Sequence, residues 1–172
     1  MTYHPVTLDV NEQQEGVKAL FDAMDSFPEI KVLITFPNAD TFGRQLINMV
    51  KDYAQKHPGR VYLTESLGRV RYLSALEHCC CVIGNSSSGI IEAPSFDVPT
   101  VDIGSRQQGR VRADSVIHSG NTKGEIGAAI RAGLGLDKHS QPEVFNNPYD
   151  GGKTSESLSL IHISEPTRRY RI

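Results

Sequence analysis

Apolar positions recur along the chain in two alternating rhythms. Val17, Leu20, Phe21 and Met24 follow the i, i+3, i+4, i+7 spacing of one buried helix face, predicting a helix over residues 11–27. Asn11, with Gln14 three positions on, reads as a capping box at its start. Residues 31–36, Lys-Val-Leu-Ile-Thr-Phe, form an apolar run ended by Pro37 and Asn38. That run is too short for a buried helix and rich in β-branched residues, so it predicts an interior parallel strand. A second helix is predicted over residues 40–56, with Phe42, Leu46, Val50 and Tyr53 on one side. Then follow a strand at 61–63, a helix at 68–78 carrying Val70, Leu73 and Leu76, and a strand at 80–83. After a Gly/Ser turn come a short helix at 89–96, a strand at 99–103 and a last helix at 124–134. Residues 104–123 show little hydrophobic period, which in a compact domain marks a functional or disordered stretch.

Alternating strands and helices build a parallel sheet covered on both faces, because parallel neighbours need crossover connections. The expected fold is therefore α/β, a doubly wound parallel sheet with helices on both faces. A length of 172 residues fits about one domain. Eighteen Lys+Arg against 20 Asp+Glu, a net charge of −2, lack the basic surplus of a nucleic-acid or anionic-membrane binder. No apolar run approaches the roughly 20 residues that span a bilayer, and the first residues do not read as a signal peptide. The three cysteines are adjacent, Cys79-Cys80-Cys81, a spacing that excludes a disulfide framework and a zinc site. Core packing is their expected role, and a reducing cytoplasm the expected compartment.

In a doubly wound sheet, ligands bind outside the carboxyl ends of the strands. The strand ending at Ile83 is followed by Gly84-Asn85-Ser86-Ser87-Ser88-Gly89 and then Ile90-Ile91-Glu92. Small residues let backbone approach a ligand, and the N–H groups opening a helix favour a phosphate. Ser86 and Ser87 add hydroxyl donors, and Glu92 is placed to accept from a diol such as ribose. The turn is neither a Walker loop nor a GxGxxG fingerprint nor a GxSxG elbow; on its own it also reads as a plain N-cap. Asn38 follows another strand with an amide that both donates and accepts. Arg106, just past Ile103, suits a bidentate grip on phosphate or serves as a solvated loop charge. His4, after a short strand remnant at 1–3, is a further candidate, with a structural role as its alternative.

Together these segments resemble the C-terminal half of the hydrolysing UDP-N-acetylglucosamine 2-epimerases. The matches are Thr2-Tyr3-His4-Pro5-Val6-Thr7, Phe36-Pro37-Asn38 and Gly84-Asn85-Ser86-Ser87-Ser88-Gly89-Ile90-Ile91-Glu92-Ala93-Pro94. They continue with residues 99–110, Pro-Thr-Val-Asp-Ile-Gly-Ser-Arg-Gln-Gln-Gly-Arg, and close with residues 147–156, Asn-Pro-Tyr-Asp-Gly-Gly-Lys-Thr-Ser-Glu. The resemblance implies a glycosyltransferase-B-type architecture of two facing Rossmann-like domains, of which residues 1–157 would be the second, UDP-binding one. It implies that Ser86, Ser87 and Arg106 hold the diphosphate, Glu92 the ribose and Asn38 another part of UDP. Leu67 falls where such proteins grip uracil by backbone, and His4 matches their essential histidine.

The implied reaction eliminates UDP across C1–C2 of the sugar, giving 2-acetamidoglucal, and adds water to leave N-acetylmannosamine. No cofactor or metal is implied. The catalytic carboxylates are expected in an N-terminal domain outside this chain, and the whole protein is expected to be a homo-oligomer. Alternatives are a 2-epimerase of UDP-2,4-diacetamido sugars from legionaminic-acid synthesis, another sugar transferase of the same architecture, or a flavodoxin-like binding module. Residues 158–168, Leu-Ser-Leu-Ile-His-Ile-Ser-Glu-Pro-Thr-Arg, resemble a translated sequencing-library adapter, so residues 158–172 are expected to be foreign to the domain. The alternative is an amphipathic tail broken at Pro166.

Overall fold

The computed structural model describes residues 1–5, 10–37, 41–136 and 145–150. Among the described residues five α-helices and five strands follow in the order α1 (Val10–Met24), β1 (Val32–Thr35), α2 (Thr41–Lys56), β2 (Val61–Thr64), α3 (Gly68–His78), β3 (Val82–Gly84), α4 (Ser88–Ile91), β4 (Thr100–Ile103), β5 (Val116–Ser119) and α5 (Lys123–Gly135), alternating except that β5 follows β4 directly. β1 pairs with β2, β3 with β4 and β4 with β5, all in parallel. Thr2 joins the two groups, bridging Thr35 on one side and Gly84 on the other. The order across the sheet is therefore β2, β1, the Thr2 segment, β3, β4, β5. From Thr2 the chain winds outward to β1 and β2, then crosses back to β3 and continues the other way. The reversal creates a topological switch point at the ends of the Thr2 segment and β3.

Helices lie on both faces, as the alternation predicts. Thr100 and Val101 point to opposite sides of β4 because side chains alternate along a strand. Gly89 of α4 sits against Thr100, and Gly133 of α5 against Val101 and Ile117. α1 packs on α5 and α2, so those three helices form one layer. α4 and the 3-10 turn at Ala93–Phe96 belong to the other, with α3 against that turn. The main core combines Val17, Leu20, Met24, Ile34, Leu46, Val50, Val101, Ile103, Ile126 and Ile130, all nearly inaccessible to solvent.

Several expectations need correction. α1 begins at Val10, so Asn11 lies inside it rather than capping it. The helix expected over residues 89–96 is divided into α4 and a 3-10 turn, with Pro94 lacking the N–H that a continuous helix would use. The irregular region contains β5, an edge strand paired with β4. Val70 is 82% exposed although Leu76 is buried, because residues six apart on a helix lie about 120° apart around it. Leu33 of β1 and Tyr62 of β2 are exposed, so β1 is not buried on both sides. Cys81 packs against the core, Cys79 is half-buried and Cys80 is exposed.

Candidate functional site

Three segments meet at the switch point: the one carrying His4, the β3–α4 turn, and the loop after β4. Gly84 makes the meeting close. Its φ is +143°, and a Cβ there would collide with the carbonyl of Thr2. Gly89 likewise serves packing, since a Cβ would come within 2.6 Å of the Thr100 methyl. These glycines were expected to admit a ligand; they admit a strand and a side chain instead.

Asn85 is fully buried. Its Oδ1 accepts the backbone N–H of His4 at 2.7 Å, and its Nδ2 donates to the His4 carbonyl at 2.8 Å. Its own carbonyl accepts from Arg106 Nη1 at 2.9 Å and from Gln107 Nε2 at 2.8 Å. Gln107 is buried while Arg106 is exposed, so the loop holds by one residue and offers the next to solvent. Behind it, Arg112 Nη2 donates to the Gln107 carbonyl at 3.3 Å and lies 3.1 Å from Asp102 Oδ2. Burial pushes the Asp102 carboxyl above its ordinary range, against the opposing pull of Arg112 and His118.

The turn itself is open. Ser86, Ser87 and Ser88 are half-buried. The carbonyls of Ser86 and Ser87 accept from Gly89, Ile90 and Ile91, while no acceptor among the described residues takes the N–H groups of Ser86, Ser87 or Ser88. A helix of four residues has little dipole, so anion attraction here rests on these amides, the hydroxyls and the Arg106 charge.

Leu67 and Glu92 share a neighbouring cavity of about 380 Å³, lined also by Thr35, Phe36, Gly68 and Tyr72. Leu67 precedes α3 as its N-cap residue. Glu92 lies between α4 and the 3-10 turn, and its Oε2 accepts the Ser88 hydroxyl, which also meets the Tyr72 hydroxyl. Burial, with the Glu92 charge adding to it, pushes the Tyr72 hydroxyl up despite its bond to Ser88. Tyr72 therefore stays a neutral phenol. Asn38 lies outside the described residues, as do residues 158–172. A larger groove of about 600 Å³ runs between α1 and α2, away from the strand ends. Among the described residues no His/Cys/Asp/Glu cluster suits a metal, and no helix is long and apolar enough to cross a membrane.

Thus His4, Ser86, Ser87 and Arg106 gather around Asn85, with Leu67 and Glu92 in the adjoining cavity. Asn85 and Gln107 were not singled out by sequence reasoning. The sequence does carry a signal for Asn85, an amide directly after a strand that can donate and accept at once, as with Asn38.

A parallel sheet with helices on both faces and a polar, amide-lined mouth at its switch point defines a Rossmann-like α/β domain. The family model for UDP-N-acetylglucosamine 2-epimerase matches residues 1–161, and the chain belongs to that family. It is 39% identical over 119 residues to the GDP/UDP-N,N'-diacetylbacillosamine 2-epimerase (hydrolyzing) of Campylobacter jejuni, covering 69% of this chain and 31% of that protein. It is 33% identical over 157 residues to the UDP-N,N'-diacetylbacillosamine 2-epimerase (hydrolyzing) of Legionella pneumophila, covering 91% and 40%. Among solved structures, the Methanocaldococcus jannaschii UDP-GlcNAc 2-epimerase in complex with UDP-GlcNAc and UDP superposes with a TM-score of 0.67 at 14% identity, over 95% of this chain and 44% of that one. That likeness confirms the Rossmann-like fold expected of a glycosyltransferase-B-type domain. The chain spans between about a third and two fifths of the curated relatives it matches.

Proposed function

We propose that this chain is the UDP-binding half of a hydrolysing 2-epimerase acting on a UDP-linked 2-acetamido sugar. The supporting observation is that His4 and Arg106 are anchored to the same buried residue, beside amides of the β3–α4 turn that no acceptor among the described residues takes. The diphosphate would take those amides, the Ser86 and Ser87 hydroxyls and the Arg106 guanidinium. The ribose would take the Glu92 oxygen not engaged by Ser88, with the uracil in the cavity beside Leu67 and Asn38 contributing elsewhere in the UDP site. In the reaction a base removes the proton at C2, the C1–O bond breaks and UDP departs with the electron pair. Water then adds across C1=C2, its hydroxyl to C1 and its proton to C2. Charge-assisted hydrogen bonds stabilise the leaving diphosphate as its charge develops. His4, at the mouth, would balance that charge or carry a proton. The base and the rest of the sugar pocket are assigned to the other half of the whole protein. For that sugar, the two diacetylbacillosamine relatives favour a 2,4-diacetamido hexose over N-acetylglucosamine. Residues 1–157 form the binding unit in this reading, and residues 158–172 take no part.

Calorimetric titration of the 172-residue chain tests the nucleotide site. UDP is expected to bind at least about tenfold more tightly than UMP, since a charge-assisted hydrogen bond is worth about 1.5–3 kcal/mol. Glu92→Gln should weaken UDP but leave inorganic pyrophosphate unchanged. Equal affinity for UDP and GDP would remove the uridine assignment, and no difference between UDP and UMP would remove the diphosphate site.

A further inference from the structure

We infer that Asn85 is the positioning residue of the site: it sets His4 and the Arg106 loop in register with each other, without itself touching substrate. The inference rests on the nucleotide-site reading above and deepens it. Asn85 and His4 are 81 positions apart in sequence, yet the side-chain amide closes a reciprocal pair with the backbone of His4, N–H to Oδ1 at 2.7 Å and Nδ2–H to O at 2.8 Å. An amide is the side-chain group of this size that donates and accepts in one plane, so it can occupy both His4 backbone groups as a neighbouring strand would. Two strand-like bonds tie the same segments just upstream, Thr2 N–H to the Ile83 carbonyl at 3.2 Å and Asn85 N–H to the Thr2 carbonyl at 3.3 Å. The side chain thus extends the pairing by one step, past the point where the strands diverge, and that step carries His4.

The other end of the residue is equally committed. Its carbonyl takes Arg106 Nη1 and Gln107 Nε2 together, at 2.9 and 2.8 Å. Both lone pairs are then used, and the Arg106 guanidinium is oriented by one nitrogen while the remainder is left for a ligand. Gln107 is held in turn by Arg112, which is paired with the buried Asp102. Asn85 is fully buried while His4 is half-buried and Arg106 exposed, so removing the amide releases the His4 backbone groups from a water-shielded partner to weaker, solvent-competed bonds.

Hydrogen exchange of the His4 amide, read by NMR on the full chain without ligand, tests the positioning directly. In Asn85→Ala the His4 amide is expected to exchange at least about tenfold faster, while amides of β4 at Val101 keep their protection relative to global stability. Asn85→Asp, nearly isosteric, covers the event that the alanine variant does not fold. A carboxylate keeps the acceptor for His4 N–H but loses the donor, and protonation restores a donor. Protection of the His4 amide in Asn85→Asp should therefore rise as pH falls, a dependence absent from wild type. Tyr53→Phe, which deletes a hydrogen bond to Asp25 between α1 and α2, should leave the His4 amide unchanged. In parallel, UDP affinity should drop about tenfold or more in both Asn85 variants and stay constant in Tyr53→Phe. Unchanged His4 exchange in both Asn85 variants overturns the inference, whatever UDP does. Faster exchange with wild-type UDP affinity also overturns it, by separating His4 placement from the site. If wild type itself ignores UDP while His4 exchange responds, the nucleotide reading fails and only the local geometry stands.

Discussion

Gly84 is the position where sequence, topology and site converge most tightly, and replacing it with alanine measures how much depends on that contact. At φ +143° any Cβ is strained, and here it would also overlap the Thr2 carbonyl and stand 2.8 Å from the Thr2 carbonyl carbon. Both are backbone atoms, so no side chain can swing aside. The backbone strain costs about 1–3 kcal/mol. Relief requires the Thr2 segment to separate from β3, losing the Thr2–Ile83 and Asn85–Thr2 bonds at about 0.5–1.5 kcal/mol each. The sum is about 2–6 kcal/mol, a large part of the roughly 5–15 kcal/mol that holds a domain folded.

Two other glycines calibrate the estimate. Gly109 has φ +82° with open space around its Cβ direction, so Gly109→Ala isolates the backbone cost, about 1–2 kcal/mol. Gly89 has ordinary backbone but faces the Thr100 methyl at 2.6 Å, so Gly89→Ala reports overpacking alone, about 1–3 kcal/mol. Urea unfolding followed by circular dichroism should rank them Gly84 most costly, with a midpoint lowered by about 2 M if the slope is near 2 kcal/mol per molar. A Gly84→Ala midpoint equal to that of Gly109→Ala would refute the claim that the Thr2 segment is wedged into the sheet at this point.

Two further outcomes are expected. Burial pushes the Cys81 thiol up to about 12, with the neighbouring cysteines adding to it, so at pH 8 roughly one part in ten thousand is thiolate; timed alkylation with mass spectrometry should label the exposed Cys80 well before Cys81. Burial opposes ionisation of Asp25, but the hydrogen bonds from Tyr53 and Arg60, with the charges of His57 and Arg60, outweigh it and hold its pKa below the ordinary 3.8. A depressed carboxyl contributes stability that is present above the unfolded pKa and lost as pH falls through the folded one. Tyr53→Phe should therefore flatten the acid limb of stability below about pH 4 in thermal unfolding across pH, though modestly, because Asp25 is half-exposed and screened.

The element order was legible because helices and interior strands differ in apolar period, and Val17, Leu20, Phe21, Leu46 and Val50 all fall on buried faces. β5 escaped because it is a four-residue edge strand with an exposed His118; its identity comes from pairing with β4, not from its own pattern. Val70 misled because an i, i+3, i+6 set drifts around a helix, so its first and last members cannot share a narrow face. At the site, residue types at strand ends pointed to the turn where the three segments meet, but the reason for its glycines did not follow from composition. A Gly admitting a phosphate and a Gly admitting a neighbouring strand look alike in one dimension.

The same limit explains why Asn85 went unnoticed while Ser86, Ser87 and Arg106 did not. Residues that would touch a ligand advertise themselves by chemistry: hydroxyls, a guanidinium, a carboxylate after a strand. A residue that aligns them leaves a fainter trace, here an amide directly after a strand, because its partners are backbone groups, and every residue has those. Gly84 and Asn85 also depend on their order. The missing Cβ lets the Thr2 segment approach β3, and only then does the next side chain reach both backbone groups of His4. Displace the segment outward and the Asn85 amide becomes a buried donor and acceptor without partners, while the Arg106 anchor at its carbonyl shifts with it. The pair therefore converts a packing event between strands into the relative placement of a histidine and an arginine that lie 102 residues apart in the chain.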